Sequence, residues 1–115
     1  NNDSSKPKSE KSEELEDFGL SITAITKPLR DRYNISKETQ GVVITKINRA
    51  GEAAEKGLRT GDVIVEINQQ SVSSVKEVTK QIEKAKKSKR SSILLLVNNQ
   101  DDIRFVALKL EEEDE

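Results

Sequence analysis

The segment from Gly57 to Asn68 constrains the fold of this chain more than any other stretch of its sequence. One turn of helix-forming residues, Glu52–Lys56, precedes it, and Gly57 suits the left-handed conformation that commonly follows a helix. Gly61-Asp62 then predicts a tight turn. Val63–Ile67 is short and rich in β-branched residues, which favours a strand. The segment therefore predicts a short helix, a turn and a strand in close succession.

Strand-like patterns recur on both sides of this segment. They are short runs of alternating or β-branched apolar residues at Gly19–Ile25, Val42–Ile47, Ile93–Val97 and Ile103–Leu110. A different period is found at Val75, Val78, Ile82 and Ala85, which form an apolar stripe on a helix that Ser73 or Ser74 would cap. The patterns predict an α+β domain of five main strands with one long and one short helix.

The distribution of apolar residues predicts where this domain begins and ends. Apolar residues are 32% of the chain and charged residues 36%, a balance typical of disorder or of a compact domain with disordered ends. Large apolar residues lie almost entirely between Phe18 and Leu110, whereas Leu15 is the one large aliphatic residue before them. We therefore expect a disordered linker at residues 1–17, one domain at 18–110 and an acidic disordered tail at 111–115.

The absence of histidine and cysteine restricts the chemistry of the chain. It excludes a Ser-His-Asp triad, a zinc site of the usual kind and any disulfide. A Ser–Lys pair stays formally open, but a catalytic lysine must be desolvated and every lysine here has polar neighbours in the sequence. We expect no catalytic residue, no metal and no cofactor.

Charge and hydropathy indicate which partners to expect. Lys76, Lys80 and Lys84 are spaced to lie on one helix face, but Phe18, Tyr33 and Phe105 are too few aromatic residues to favour nucleic-acid binding. No apolar run approaches the ~20 residues of a membrane span. The N-terminus also lacks the pattern of a signal peptide, so we expect a soluble segment, either cytosolic or excised from a longer protein.

The Gly57–Asn68 segment resembles the signature GL-x-x-GD-h-I-h-x-h-N of PDZ domains, in which h is apolar, at matching spacing. The resemblance covers about Phe18–Leu110 and is to the domains of HtrA/Do-type (DegP-like) serine proteases, in which the peptide-binding strand comes first in the chain. It implies a PDZ-like α+β fold, with five to six mostly antiparallel strands in a partly open barrel or sandwich. Ala50-Gly51-Glu52 departs from the usual Ser-Pro, and Gln69 from the usual glycine.

Phe18–Ile22 matches the carboxylate-binding loop and recognition strand of that family. Such a loop offers backbone N–H groups to a terminal carboxylate, and glycine permits its close approach. The resemblance implies that a peptide adds antiparallel to Leu20–Ile25, with Leu20, Ile22, Val78 and Ile82 lining the terminal pocket. The full set of implied peptide-binding residues is Phe18, Gly19, Leu20, Ser21, Ile22, Val75, Val78, Thr79 and Ile82.

The resemblance implies a non-catalytic module that captures C-termini or unfolded proteins and regulates or targets an attached serine protease. It places the parent in the periplasm or cell envelope, and the acidic end after Leu110 suggests the last domain of that parent. Two alternatives stay open. In the first, the domain mediates oligomer assembly by contacts with its own protease domain and with neighbouring subunits. In the second, it belongs to a C-terminal-processing or intramembrane protease.

Overall fold

The computed structural model describes residues 12–100 and 102–110 of the 115-residue chain. Within these residues the chain forms seven strands and three helices. In chain order they are β1 (Ser12–Leu15), β2 (Leu20–Ala24), α1 (Lys27–Tyr33), β3 (Val42–Ile47), α2 (Glu52–Glu55), β4 (Val63–Ile67), β5 (Gln70–Ser71), α3 (Val75–Lys87), β6 (Ser92–Asn99) and β7 (Asp102–Lys109).

All the described strands belong to one antiparallel sheet. Its order is β1-β2-β3-β4-β6-β7, and the short β5 pairs with β4. The register shifts between Ser21 and Ile22 in β2, and between Ile64 and Glu66 in β4. Such bulges bend strands and increase their twist. The predicted mostly antiparallel α+β fold is confirmed, with seven strands rather than five to six, and α1 forms where the sequence Pro28–Asn34 predicts a short helical turn.

The start of the ordered chain differs from the prediction. The composition predicts a disordered linker at Ser12–Leu15, but these residues form β1. The linker therefore does not extend to Asp17, and the strand at Leu20 is the second in the chain, not the first. β1 forms because the edge of β2 offers backbone groups with which it can pair, and because Leu15 packs against the core. The disorder predicted for residues 1–11 and 111–115 lies outside the described residues.

Helix α3 packs on the sheet as its apolar stripe predicts. Val78, Ile82 and Ala85 are buried, and the Ser74 hydroxyl accepts a hydrogen bond from the Glu77 N–H at 3.1 Å as the N-cap. The strands supply the other side of the core with alternating residues, as in β6, where Ile93, Leu95 and Val97 are buried. Within the described residues, no helix has the length and apolar character that a membrane span requires.

The signature segment forms the predicted helix, turn and strand. Gly57 follows α2 with φ +88°, and the buried Leu58 donates its N–H to the Ala53 carbonyl at 3.0 Å. Asp62 is also buried; its carboxylate accepts hydrogen bonds from the Arg59 N–H and the Asn99 amide. The aspartate of the signature therefore joins the turn before β4 to the end of β6.

The turn between β4 and β5 accommodates the departure at Gln69. Asn68 and Gln69 have φ values of 51° and 69°, the left-handed conformation at both central positions of a two-residue hairpin. The Asn68 side chain also accepts the Leu94 N–H at 2.9 Å. A non-glycine residue at position 69 thus retains the tight turn at some conformational cost.

Candidate functional site

A tight loop, residues 16–19, joins β1 to β2 and directs two backbone donors at one oxygen. The N–H groups of Phe18 and Gly19 both donate to the Leu15 carbonyl, at 3.0 and 2.9 Å. Two N–H groups that converge in this way form a small concavity that can bind a negatively charged oxygen. The donors are at the end of β2 where the sequence predicted a carboxylate-binding loop.

Gly19 is required by the packing behind the loop. Its φ is +78°, and an added Cβ would lie 3.0 Å from the Gly51 Cα and 3.3 Å from the Asn48 Cβ. The loop is also held from this side by hydrogen bonds from the Ala53 N–H to the Phe18 carbonyl and from the Asn48 N–H to the Gly19 carbonyl. The packing behind the loop is therefore a separate reason for glycine at this position, because the missing Cβ makes room for the chain before α2.

An apolar pocket lies beside the two donors. Phe18, Leu20, Val78 and Ile82 line it, together with core residues beneath. The half-buried Leu15 side chain packs against the core here and lines the same pocket, which has a volume of about 10 Å³. The structure thus brings four of the predicted site residues together around one aliphatic side chain.

The other predicted residues take different positions. Ile22 is fully buried opposite Glu13, Ser21 is half-buried opposite Glu14, and Val75 packs half-buried against the core at the start of α3. Thr79 is half-buried and lines a cleft of about 260 Å³ between β1 and α3. Val78 is fully buried, so it is a core residue that also forms the floor of the pocket rather than an edge of the groove.

β1 is the part of the site that the sequence analysis did not predict. It runs antiparallel to β2 from Ser12 opposite Thr23 to Leu15 opposite Leu20, along the edge to which a peptide was expected to add. The one available signal was Leu15 itself, an isolated aliphatic residue just before Phe18-Gly19 in a polar segment.

Two lysines approach the site from opposite sides. The Lys86 Nζ of α3 is 3.0 Å from the Asp17 Oδ2 in the loop. Lys46 of β3 lines a cleft of about 370 Å³ together with Glu14 and Ser21. The predicted basic face of Lys76, Lys80 and Lys84 is exposed and lines neither cleft.

The sequence pattern of the PDZ domain family matches residues 7–98 of the chain. A Brucella suis protein named probable periplasmic serine endoprotease DegP-like is 36% identical over 101 residues, which are 88% of this chain and 18% of that protein. A Bartonella henselae protein of the same name is 40% identical over 98 residues, 85% of this chain and 17% of that protein. The chain therefore spans less than a fifth of the length of these two relatives.

Solved structures share the fold. The HtrA-type protease AlgW with a decapeptide superimposes with a TM-score of 0.65 at 26% identity, over 80% of this chain and 27% of that one. The HtrA3 PDZ domain bound to a phage-derived ligand, FGRWV, gives a TM-score of 0.64 at 19% identity over 86% of both chains, a likeness of fold alone. Fold, signature and family pattern agree, and this chain belongs to the PDZ domain family.

Proposed function

We propose that the domain binds the C-terminal residues of other proteins by strand addition along β2, in the groove between β2 and α3. The observation that carries the proposal is the convergence of the Phe18 and Gly19 N–H groups on one oxygen beside an apolar pocket. A terminal carboxylate at the position of the Leu15 carbonyl would accept both hydrogen bonds. The last side chain of the peptide would fill the pocket, and the peptide backbone would pair with β2.

The role in a longer protein is part of the same proposal. The relatives are named DegP-like endoproteases, and AlgW, an HtrA-type protease, was solved with a decapeptide. These likenesses support a non-catalytic module that regulates or targets an attached serine protease in the periplasm or cell envelope. They favour the HtrA/Do-type parent over a C-terminal-processing or intramembrane protease.

Calorimetric titration with a synthetic heptapeptide tests the binding mode. The peptide Ser-Glu-Lys-Ser-Glu-Glu-Leu, the sequence of residues 9–15, has an aliphatic last residue. The free acid should bind at least about tenfold more tightly than the C-terminal amide, because only the acid offers a charged acceptor to the two N–H groups; tenfold is ~1.4 kcal/mol. Equal affinity of the two forms would contradict the assignment.

A pair of variants locates the groove. Thr79→Trp should reduce binding because the indole would obstruct the cleft between β1 and α3, which Thr79 lines. The Thr79 hydroxyl donates only within its own helix, to the Lys76 carbonyl, so its loss should leave the fold intact. Lys80→Trp, at the exposed neighbouring position, is the control and should retain peptide affinity.

A second candidate function is assembly. Ile103 and Phe105 on β7 are large apolar residues that are 62% and 59% exposed, at the opposite edge of the sheet from the groove. Exposed apolar patches often mark protein contacts. If this surface mediates contact with the protease domain or with neighbouring subunits, Ile103→Ser with Phe105→Ser should weaken association in sedimentation of the full-length parent. Unchanged sedimentation would exclude this surface from assembly.

A further inference from the structure

β1 has the geometry of a ligand bound in its own groove. It pairs antiparallel with β2 over four residues, its last side chain packs against the core at the apolar pocket, and its last carbonyl accepts the Phe18 and Gly19 N–H groups. We propose that Ser12–Leu15 is an intramolecular ligand that occupies the peptide groove and must be displaced before another peptide binds. This inference rests on the proposed function and adds its regulation and its ligand class.

The contacts of β1 are few enough for displacement. Ser12, Glu13 and Glu14 are exposed, so the half-buried Leu15 is the one apolar anchor of the strand. The Asp17–Lys86 ion pair, which holds the loop to α3, is more than a third exposed on both side chains, and such pairs contribute little to stability. Segments with few buried contacts open locally at low free energy.

A free peptide has an advantage that β1 lacks. The Leu15 carbonyl belongs to a peptide bond and is neutral, whereas a terminal carboxylate is charged and has a second oxygen. Charge-assisted hydrogen bonds are roughly twice as strong as neutral ones. A free C-terminus of matching sequence can therefore compete with β1, although β1 is covalently attached and has a high effective concentration.

The residues around β1 define the ligand class. Leu15 in the pocket indicates an aliphatic last residue. Glu14, Ser21 and Lys46 occupy successive positions across β1, β2 and β3 and line one cleft, so a penultimate acidic residue would lie near a lysine across a small serine. The inferred ligand is a C-terminus with a penultimate acidic residue and a final aliphatic residue.

Loss of the apolar anchor should open the groove. Leu15→Ser in the full chain should bind the free-acid heptapeptide up to about fivefold more tightly than the unmodified chain, because apparent affinity scales with the fraction of molecules whose groove is free. Leu94→Ser is the matched control: Leu94 is also half-buried, but it lies on β6, distant in the sheet from β2, and its loss should leave affinity unchanged.

A reversible disulfide bond between β1 and β2, called the lock below, tests the same idea while Leu15 is retained. Glu14 and Ser21 are directly opposite in β1 and β2, at the Cα separation of about 4.5–5.5 Å that a disulfide can span. The chain has no cysteine of its own, so Glu14→Cys with Ser21→Cys would form a unique bond. Oxidation should abolish heptapeptide binding, and the reduced form of the same double variant, which is the reference for this comparison, should bind the peptide. Leu94→Cys with Ala107→Cys, opposite in β6 and β7, gives a control bond that should not affect binding.

The outcomes separate this inference from the function on which it rests. Equal affinity of the unmodified chain and Leu15→Ser would overturn self-occupancy and leave the peptide site standing. Equal binding by the oxidised and reduced lock would show that the peptide does not bind along β2, and would overturn both the inference and the proposed site. Failure of every chain, including Leu15→Ser and the reduced lock, to bind the heptapeptide would overturn both. Circular dichroism of each variant establishes that the sheet is formed in the sample that is titrated.

Discussion

The two edges of the sheet are built very differently. At one edge, β7 pairs with β6 over eight positions, from Ser92 opposite Lys109 to Asn99 opposite Asp102, and buries Val106 and Leu108. At the other edge, β1 pairs with β2 over four positions and contributes only the half-buried Leu15 to the packing. The β7 edge is an integral part of the core, whereas the β1 edge is a short addition to it.

This difference indicates which edge can exchange its strand. An exposed sheet edge offers unpaired N–H and C=O groups to another strand. The edge of β2 lies beside the apolar pocket and the two converging donors. β1 covers this edge with few contacts. The fold thus places a short strand with little buried surface at the site where we propose that ligands bind.

The largest expected effect is on stability. Leu108 is 1% exposed, so Leu108→Ala should reduce the free energy of unfolding by about 2–5 kcal/mol. Leu15→Ala should reduce it by about 1 kcal/mol or less, because only part of that side chain leaves water. Urea denaturation of both variants measures the contrast. Similar losses at the two positions would show that β1 is as much a part of the core as β7.

The next effect concerns the support of the donor loop. In Gly51→Ala the new Cβ would lie 3.0 Å from the Gly19 Cα and 3.1 Å from the Phe18 carbonyl, so the loop must shift. Overpacking of this kind costs about 1–3 kcal/mol, and displaced donors should weaken peptide binding about fivefold, or ~1 kcal/mol.

Gly57→Ala is the control for this variant. Gly57 also has a positive φ, but an added Cβ would meet nothing closer than the Arg104 Nη2 at 3.8 Å. Gly57→Ala should reduce the free energy of unfolding by about 1 kcal/mol, because alanine is disfavoured in the left-handed conformation, while its peptide affinity should stay the same. Normal peptide affinity in Gly51→Ala would show that the position of Gly19 does not depend on this packing.

The smallest expected effect is electrostatic. Lys46→Glu should weaken binding of the heptapeptide by about two- to fivefold, in the range of ~0.2–1 kcal/mol for exposed charge pairs, and less at high salt. Lys80→Glu, which lines neither cleft, should have a smaller effect. If Lys80→Glu weakens binding more than Lys46→Glu, the basic face of α3 rather than β3 selects acidic ligands.

Much of this architecture could be predicted from the sequence because its signals are local. The turn residues around Gly57 and Gly61, and the apolar stripe of α3, are patterns within single elements. β1 has no such signal: one leucine in a charged segment shows no periodicity, and the strand forms because β2 offers an edge. The alignment of Lys46 with Glu14 could not be predicted from the sequence either, because it depends on the register of three strands.

The burial of Val78 shows another limit of the sequence pattern. Val75, Val78 and Ile82 all belong to the same stripe, and the stripe alone does not show which side chain faces the sheet and which faces the groove. The structure shows Val78 at 0% exposure, Ile82 at 7% and Val75 half-buried. Val78 therefore occupies a core position, where an unpaired charge would be very costly, rather than the edge of the groove.

Chemical-shift titration of the Leu15→Ser chain with the free-acid heptapeptide locates the bound peptide, because it reports both edges of the sheet at once. If the peptide binds between β2 and α3, the amide signals of Phe18, Gly19 and β2 should shift with peptide concentration, while those of β7 stay in place. Shifts concentrated in β7, or a response in which the Phe18 and Gly19 amides do not take part, would contradict a C-terminal peptide site between β2 and α3.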